Sequence, residues 1–497
     1  MNGMPPVANE SAPAPWWGLY VVALAGLFVR LAFASVTDHA YHPDEVYQYL
    51  EQGHRLAFGY GIIPWEYRFG TRSWLIPGLV AAPLALCQLL HVDPPAVYIP
   101  LVKSLFCLLS ESLIFAAYAI GRNLASEMAG RVAAVFCAFW YELVYFAPRP
   151  LTDIVSTYCL LSALACLVQP RGRRQPLLFG FIAALSVAMR LQFAPVIAFL
   201  VAIAAFRWDK RALLRCAAGF AGVVFFAGWV DRLTWGGWFV SYYNNVVFNV
   251  VHGVSLLFGK EEPSWYFDQL SGASGVLWAW SLPLALLYLR KLWIPLVCLG
   301  IVVLTHSALP HKEYRFIFPA VPLILVLTAA VLTSFVDTVT QRGVNQRRLT
   351  GTAVLLFGCV SAAGFFKLLP DEDAVYPGSP LYAGDDKLQA FQALAKDDDL
   401  AGLFVATGGW DQYGGYYYLH RDIPMYFQSI HFQTMQEAGD YVSHILCDAS
   451  AEVVPGFEPV SRIGPLEIRK RVTPCRSYSR LPSYTRHVFQ AGIDGKY

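Results

Sequence analysis

Long apolar runs recur along most of this chain, and they constrain its fold more than any other feature. They lie near 16–35, 74–91, 97–120, 131–147, 153–169, 176–190, 192–206, 214–230, 271–289, 292–309, 316–336 and 350–368. About 20 apolar residues, with about 17 at the lower end, carry a helix across the hydrocarbon of a bilayer. In water, so many such runs would expose more apolar surface than a fold could cover. Composition agrees, with 14% charged residues where soluble domains have about a quarter. The net charge of +2 gives no footprint for nucleic acid, so none is expected as a partner. An all-α polytopic membrane protein follows, with the lipid bilayer as its surroundings.

The first run reads as a retained span rather than a cleaved signal. Residues 1–15 carry only Glu10 as a charge, and the run continues through Arg30 without a small-residue cleavage pattern. Of ten cysteines, only Cys447 and Cys475 fall in polar sequence. They form a disulfide or remain two thiols, depending on the compartment.

Lys and Arg in the short connections set the orientation. The basic connections are 121–131, 170–175, 207–215, 290–291 and 341–348. All of them fall in the cytoplasm if each run from 97 onward crosses once and 74–91, broken by Pro77 and Pro83, does not traverse. That gives about eleven transmembrane helices, an inside N-terminus and an outside C-terminus. The loop 36–73, the turn 147–152, Arg190, the loop 231–270 and the stretch 311–315 then share the outer face. Two domains are expected: a membrane domain over 1–369 and a small extracytoplasmic α/β domain over 370–497. The second has charge clusters and a Gly/Tyr-rich stretch at 408–421, where Trp410 is a candidate ligand contact.

The outer face holds the residues that suit chemistry. Asp44 and Glu45 open a helix in the first loop. Adjacent carboxylates there suit a general base or a metal ligand, and equally a helix cap. His311, Lys312, Glu313 and Arg315 stand between two apolar runs, where charges are costly and usually pair or do work. Trp65, Glu66 and Arg72, Arg149 with Asp153, Arg190, and Asp231 with Arg232 are further candidates. Arg149 and Asp153 sit one helical turn apart and can pair with each other. Asp231 and Arg232 can form a surface ion pair. Arg190 has no sequence-local partner and points to an anion or a distant carboxylate. The aromatic loop 229–268 suits either the membrane interface or a platform for sugars.

Together, residues 42–78 (HPDEVYQYLEQGHRLAFGYGIIPWEYRFGTRSWLIPG), 231–238 (DRLTWGGW) and 311–319 (HKEYRFIFP) resemble the family 22 glycosyltransferases. These are polyprenyl- or dolichyl-phosphate-mannose-dependent mannosyltransferases. The resemblance is strongest to those that add the third mannose of the GPI precursor, and it covers roughly 15–370. It implies a GT-C fold and a catalytic acid in the first outer loop: Asp44 as the base, with Glu45 as runner-up or orienting partner. It places His311, Lys312 and Arg315 on the donor-phosphate side, assisted by Arg190 and Arg149, with His42, Glu313, Trp65, Glu66, Arg72 and Asp153 in support. Arg149 is followed by Pro-Leu-Thr-Asp where the family has small hydroxylated residues. Arg190 is followed by Leu-Gln where the family often has Pro-Thr.

The implied reaction is an inverting displacement. An acceptor hydroxyl on a lipid-linked or glycan acceptor attacks β-mannosyl phosphate and gives an α-mannoside. It needs a base for the hydroxyl and positive charge for the departing phosphate. A lipid phosphate leaves without a strong acid, so no second carboxylic acid is required. The resemblance implies no metal or other cofactor, since many lipid-phosphate GT-C enzymes need none. A transporter or flippase of a lipid-linked sugar, or a GT-C transferase of another sugar, is the alternative. No extracytoplasmic Asn-x-Ser/Thr sequon and no dilysine or KDEL address is present, which favours a bacterial inner membrane with a periplasmic active face. An ER membrane with a lumenal active face has the same topology.

Overall fold

The structure, a computed structural model, describes residues 16–170, 172–341, 345–367, 386–428 and 430–473, with 480, 481, 484, 486, 487 and 493. Cys475 lies outside the described residues; Cys447 is a buried free thiol. Met1–Phe33, Lys103–Phe239 and Asn249–Ser379 form one compact unit. Ala34–Val102, Val240–Phe248 and Pro380–Tyr497 form the other, so the first outer loop gathers with the tail.

The membrane unit is helical, and its helices follow the apolar runs. Gly18–Val36, Pro95–Leu124, Lys210–Thr234, Leu289–Ser307, Ala320–Thr340 and Arg348–Phe365 are long and apolar enough to cross a bilayer. Thr152–Val168, Gln175–Met189 and Leu191–Arg207 are shorter apolar segments. Polar residues start two of the unit's helices, Lys210–Thr234 and Glu127–Phe139: the Asp209 and Ser126 side chains accept the Ala212 and Ala129 N–H groups, satisfying donors that a helix start leaves open. Ala320–Thr340 is the most buried span and packs against Glu127–Phe139, Trp265–Leu287 and Leu289–Ser307.

One expected single span is broken, and another carries a local turn. The run 97–120 continues as Pro95–Leu124, with a turn at Glu111 whose backbone stays in the right-handed helical region (φ −60°, ψ −26°). There Glu111 pairs with the fully buried Arg30, whose Nη2 also donates to Cys137 O at 2.8 Å. The run 131–147 divides at Trp140 (φ −67°, ψ 127°) into Glu127–Phe139 and Tyr141–Phe146. Ser361 repairs that break by accepting from Tyr141 N at 2.9 Å and donating to Phe139 O at 2.8 Å. Helix breaks inside a bilayer are tolerated where such side chains satisfy the freed backbone groups.

The second unit carries a five-stranded mixed sheet: β1 (Leu403–Val405), β2 (Met425–Phe427), β3 (His444–Asp448), β4 (Phe457–Ile463) and β5 (Leu466–Arg471). The order is β2-β1-β3-β5-β4. β1 runs parallel to β2 and β3, while β5 is antiparallel to β3 and β4. Phe404, Tyr426, Met435, Val442, Ile445 and Phe457 fill its core. A small C-terminal sheet, as expected from the sequence, is thus present. The 15-residue helix Leu75–Leu89, with Pro83 inside it, packs in the same unit against the first-loop helix Glu51–Phe58.

Candidate active site

The first-loop carboxylates sit at the start of a helix of unusual form. Glu45–Leu50 winds as a π-helix and continues as the α-helix Glu51–Phe58; π turns inside α-helices often mark functional sites. The adjacent acids divide their roles. Glu45 is buried and its Oε2 accepts the Tyr41 N–H at 2.9 Å, fixing the chain that enters the helix. The Asp44 side chain makes no capping hydrogen bond and is 20% exposed. Its backbone N–H donates to His42 Nδ1 at 3.2 Å, and its Oδ1 lies 3.5 Å from the same nitrogen.

Glu66, on the short helix Trp65–Arg68, joins them. Its Oε1 accepts from Gln48 Nε2 at 2.8 Å. Burial, reinforced by the negative charge of Asp44, pushes its carboxyl up to about 7, with Arg72 and Gln48 pulling the other way. Trp65 is buried, with its ring 6.2 Å from that of Phe248. His42, Asp44, Glu45, Trp65, Glu66 and Arg72 therefore belong to one small neighbourhood.

In the membrane unit a second cluster forms around Asp153, in the first turn of Thr152–Val168. Arg190 occupies the extended link (φ −143°, ψ 102°) between Gln175–Met189 and Leu191–Phe193, and its Nε lies 2.8 Å from Asp153 Oδ1. Ser156 Oγ donates to Ser186 O at 2.8 Å and holds these two helices in register one turn away. Arg315, on the 3-10 turn Tyr314–Ile317, reaches Asp153 at 3.9 Å and Glu313 Oε2 at 2.6 Å. Glu313 Oε1 meets His311 Nε2 at 3.1 Å. The Arg190 and Arg315 guanidinium groups lie 4.5 and 5.5 Å from the centre of the Phe316 ring, a favourable stacking for delocalised cations.

The structure thus answers the open question about Arg190: a distant carboxylate meets it. Asp153 faces Arg190 and Arg315, while Arg149 lies over the Tyr145 ring at 4.2 Å and donates to Tyr145 O at 3.2 Å. Lys312 is buried, and Nζ donates to Glu261 O at 3.2 Å and to Leu309 O. Burial pulls the Lys312 ammonium below its ordinary range. The surface pairing of Asp231 with Arg232 is corrected: Asp231 is fully buried, because its helix extends to Thr234 and turns it inward. Arg232 is exposed and donates to Gly236 O at 2.5 Å. The tyrosines of the 408–421 stretch are buried, and Trp410 is half-buried.

Glu142 went unnoticed in the sequence. It is fully buried and accepts from Trp140 Nε1 at 2.6 Å and from Tyr314 Oη at 2.5 Å, tying Tyr141–Phe146 to the 311–315 block. A glutamate inside the run 131–147 was signal enough, since ionisable groups at membrane depth need a partner or a task. Among the described residues, no group of three or more His, Cys, Asp and Glu side chains is arranged to hold a metal ion.

This architecture is that of the GT-C glycosyltransferases. ArnT from Cupriavidus metallidurans, bound to undecaprenyl phosphate, superposes with a TM-score of 0.57 over 91% of this chain and 97% of that one, at 11% identity. The chain belongs to the Alg9-like mannosyltransferase family, a family of glycosyltransferases whose sequence profile matches residues 21–382. The resemblance seen in the first loop and the 311–319 block is thereby borne out. GPI alpha-1,2-mannosyltransferase 3 of Bos taurus is 27% identical over 320 residues, covering 62% of this chain and 57% of that protein. GPI mannosyltransferase 3 of Yarrowia lipolytica is 28% identical over 335 residues, covering 64% of each. The chain thus matches 57% to 64% of the length of these relatives.

Proposed function

We propose that this integral membrane protein transfers mannose from a polyprenyl- or dolichyl-phosphate-mannose donor to a hydroxyl of a lipid-linked or glycan acceptor, forming an α-mannoside by inversion. The observation that carries the reading is the division of labour at the head of the first-loop helix. Glu45 is spent on the backbone of Tyr41, and Asp44 keeps a partly exposed carboxylate beside His42 and Glu66. Asp44 then takes the proton of the acceptor hydroxyl as the C–O bond to mannose forms, while the bond from mannose to phosphate oxygen breaks. Glu66 and Arg72 set the charge around it.

Family membership supports mannose as the sugar, and the lipid phosphate held by ArnT supports a lipid-phosphate donor. In this reading Arg190, Arg315, His311, Lys312 and Arg149 face the departing phosphate. Asp153 and Glu313 hold the two guanidinium planes ready for it, so no reorganisation is needed when charge develops. No metal is required, because a lipid phosphate leaves as a stable anion. About eleven spans, with the first loop and the tail on the periplasmic face of a bacterial inner membrane, complete the reading.

The test is transfer of labelled mannose from dolichyl-phosphate-mannose to a synthetic α-mannosyl lipid by protein reconstituted in liposomes, with and without EDTA. Transfer that survives EDTA and is abolished by Asp44→Asn is expected. Full transfer by both Asp44→Asn and Glu45→Gln defeats the mechanism. Movement of the donor across the bilayer without a glycosidic bond identifies a flippase. Parallel reactions with galactose and aminoarabinose donors test the sugar.

A further inference from the structure

The first-loop helix has two sides. Asp44 and Gln48 face Glu66. Tyr47, Glu51, His54 and Phe58 recur at helical spacing along another side, and each meets the stretch 410–420 of the tail domain. The Tyr47 hydroxyl lies 2.6 Å from Trp410 O and 2.7 Å from Tyr413 O, and its ring stands edge-on to Trp410 at 4.7 Å. His54 Nε2 lies 3.0 Å from His420 Nδ1. The Phe58 ring is 4.6 Å from that of His420.

Glu51 is the centre of this contact. It is fully buried, and its two oxygens accept three backbone N–H groups: Ile62 at 2.6 Å and Tyr416 at 3.1 Å on Oε1, Tyr417 at 2.8 Å on Oε2. A carboxylate withdrawn from water costs several kcal/mol or more unless donors of this kind surround it. Burial still pushes its carboxyl up to about 7, against the three N–H groups and Arg55. The tail is shaped to receive it. Gly415 adopts φ +59°, and a Cβ there would come within 2.6 Å of Glu51 Oε2. Only glycine suits both the left-handed backbone and the space.

We infer that Glu51 is a positioning residue, and that through it the tail segment 413–417 holds the helix presenting Asp44 to the acceptor. The tail domain is then part of the catalytic apparatus, and its Gly/Tyr-rich stretch is the seat of a helix rather than a contact for the acceptor. A buried carboxylate bound only to backbone amides fixes a helix in rotation as well as position. Small misplacement of a reacting group can cost about a hundredfold in rate.

The inference rests on Asp44 as the base, so its test has one arm that requires no activity. Hydrogen exchange is followed in the full chain for wild type, Glu51→Ala, Glu51→Gln and Tyr47→Phe, alongside the transfer assay above. Expected in Glu51→Ala is exchange about tenfold faster or more over 42–50 and 413–417, with unchanged exchange in β1 and β3. Its kcat falls about tenfold or more while KM for dolichyl-phosphate-mannose holds. Glu51→Gln, which keeps one acceptor oxygen, recovers part of both losses, and Tyr47→Phe shifts both in the same direction by less. Native exchange over 42–50 in Glu51→Ala overturns the inference. So does acceleration spread evenly across β1 and β3, or a change confined to KM. If Glu51→Ala does not fold, Tyr47→Phe decides by the same criteria. A wild type without transfer defeats the mannosyltransferase reading, and the exchange arm still decides whether Glu51 holds the helix.

Discussion

Arg190 Nε lies 2.8 Å from Asp153 Oδ1, both residues are almost completely buried, and the arginine stands in the extended link between Gln175–Met189 and Leu191–Phe193. An ion pair at that depth is seldom a source of net stability, because desolvation of both charges offsets their attraction. Its geometry is what it supplies. Asp153 fixes the plane of Arg190 and reaches Arg315, and Glu313 fixes Arg315 from the other side.

Breaking the pair from one side leaves a buried charge without its closest partner. Asp153→Asn and Arg190→Met are each expected to destabilise the protein by about 3–5 kcal/mol. The double variant recovers much of that stability and none of the transfer activity. Thermal unfolding in detergent and the transfer assay, combined as a double-mutant cycle, check this. Recovery of activity in the double variant would mean that the pair serves folding alone.

Glu66 is expected to make the proposed transfer pH-dependent near neutrality. Its carboxyl is raised to about 7, so it is mostly protonated below that pH and ionised above. Ionised Glu66 sets a second negative charge beside Asp44 and strengthens it as a base. Transfer should therefore rise as pH increases through about 7, and Glu66→Gln should flatten the profile. Stability takes the opposite sign. The folded value exceeds the ordinary carboxyl value of 4.5, so the stabilising contribution is present below that pH and is lost as pH rises through about 7. A pH–rate profile and a melting series over the same buffers measure both.

Much of this was legible in the sequence for a simple reason. Apolar runs report membrane helices because the bilayer permits little else, and the helices fall within a few residues of them. Arg190 was legible as an anomaly, since a cation between two apolar runs requires a distant partner. What the sequence left open depends on tertiary geometry. Asp44 and Glu45 are equivalent as adjacent letters, and the fold separates them by turning Glu45 back onto Tyr41. Glu51 resembled any exposed helix acid until the tail, more than three hundred residues later, supplied two of its donors. The break at Trp140 and the ion pair at Glu111 were hidden for the same reason: Ser361 and Arg30, which accommodate them, lie far away in the chain.

Tyr314 links the 311–315 block to the buried Glu142 by a hydroxyl hydrogen bond of 2.5 Å. Tyr314→Phe keeps the ring and removes a buried hydrogen bond, leaving the carboxyl short of a donor at a cost of about 1–3 kcal/mol. A lower melting temperature is expected, together with weaker binding of dolichyl-phosphate-mannose as the block loosens. Transfer kinetics at varied donor concentration separate the two effects. An unchanged melting temperature would show that the other contacts of Glu142, Trp140 Nε1 among them, suffice without the Tyr314 hydroxyl.

The helices Gln175–Met189 and Lys210–Thr234 cross at a pair of glycines, and that crossing carries Arg190 at its end. A Cβ on Gly180 would come within 2.0 Å of Cys216 O, and one on Gly219 within 2.2 Å of Leu177 O, so the two backbones touch where each glycine sits. Small residues allow such approach between membrane helices, where packing rather than hydrophobic exclusion drives association. Gly180→Ala must push the helices apart, at a cost of about 1–3 kcal/mol or more. Because Arg190 caps the same helix, the shift also draws it from Asp153 and lowers transfer. Gly222 lies on Lys210–Thr234 with nothing within 4 Å of its would-be Cβ. Gly222→Ala should raise stability by about 0.5–1 kcal/mol, since alanine loses less backbone freedom in a helix. Melting temperatures of the two variants should therefore move in opposite directions, and only Gly180→Ala should lose activity. Equal behaviour would mean that helix propensity, not the crossing, governs this part of the bundle.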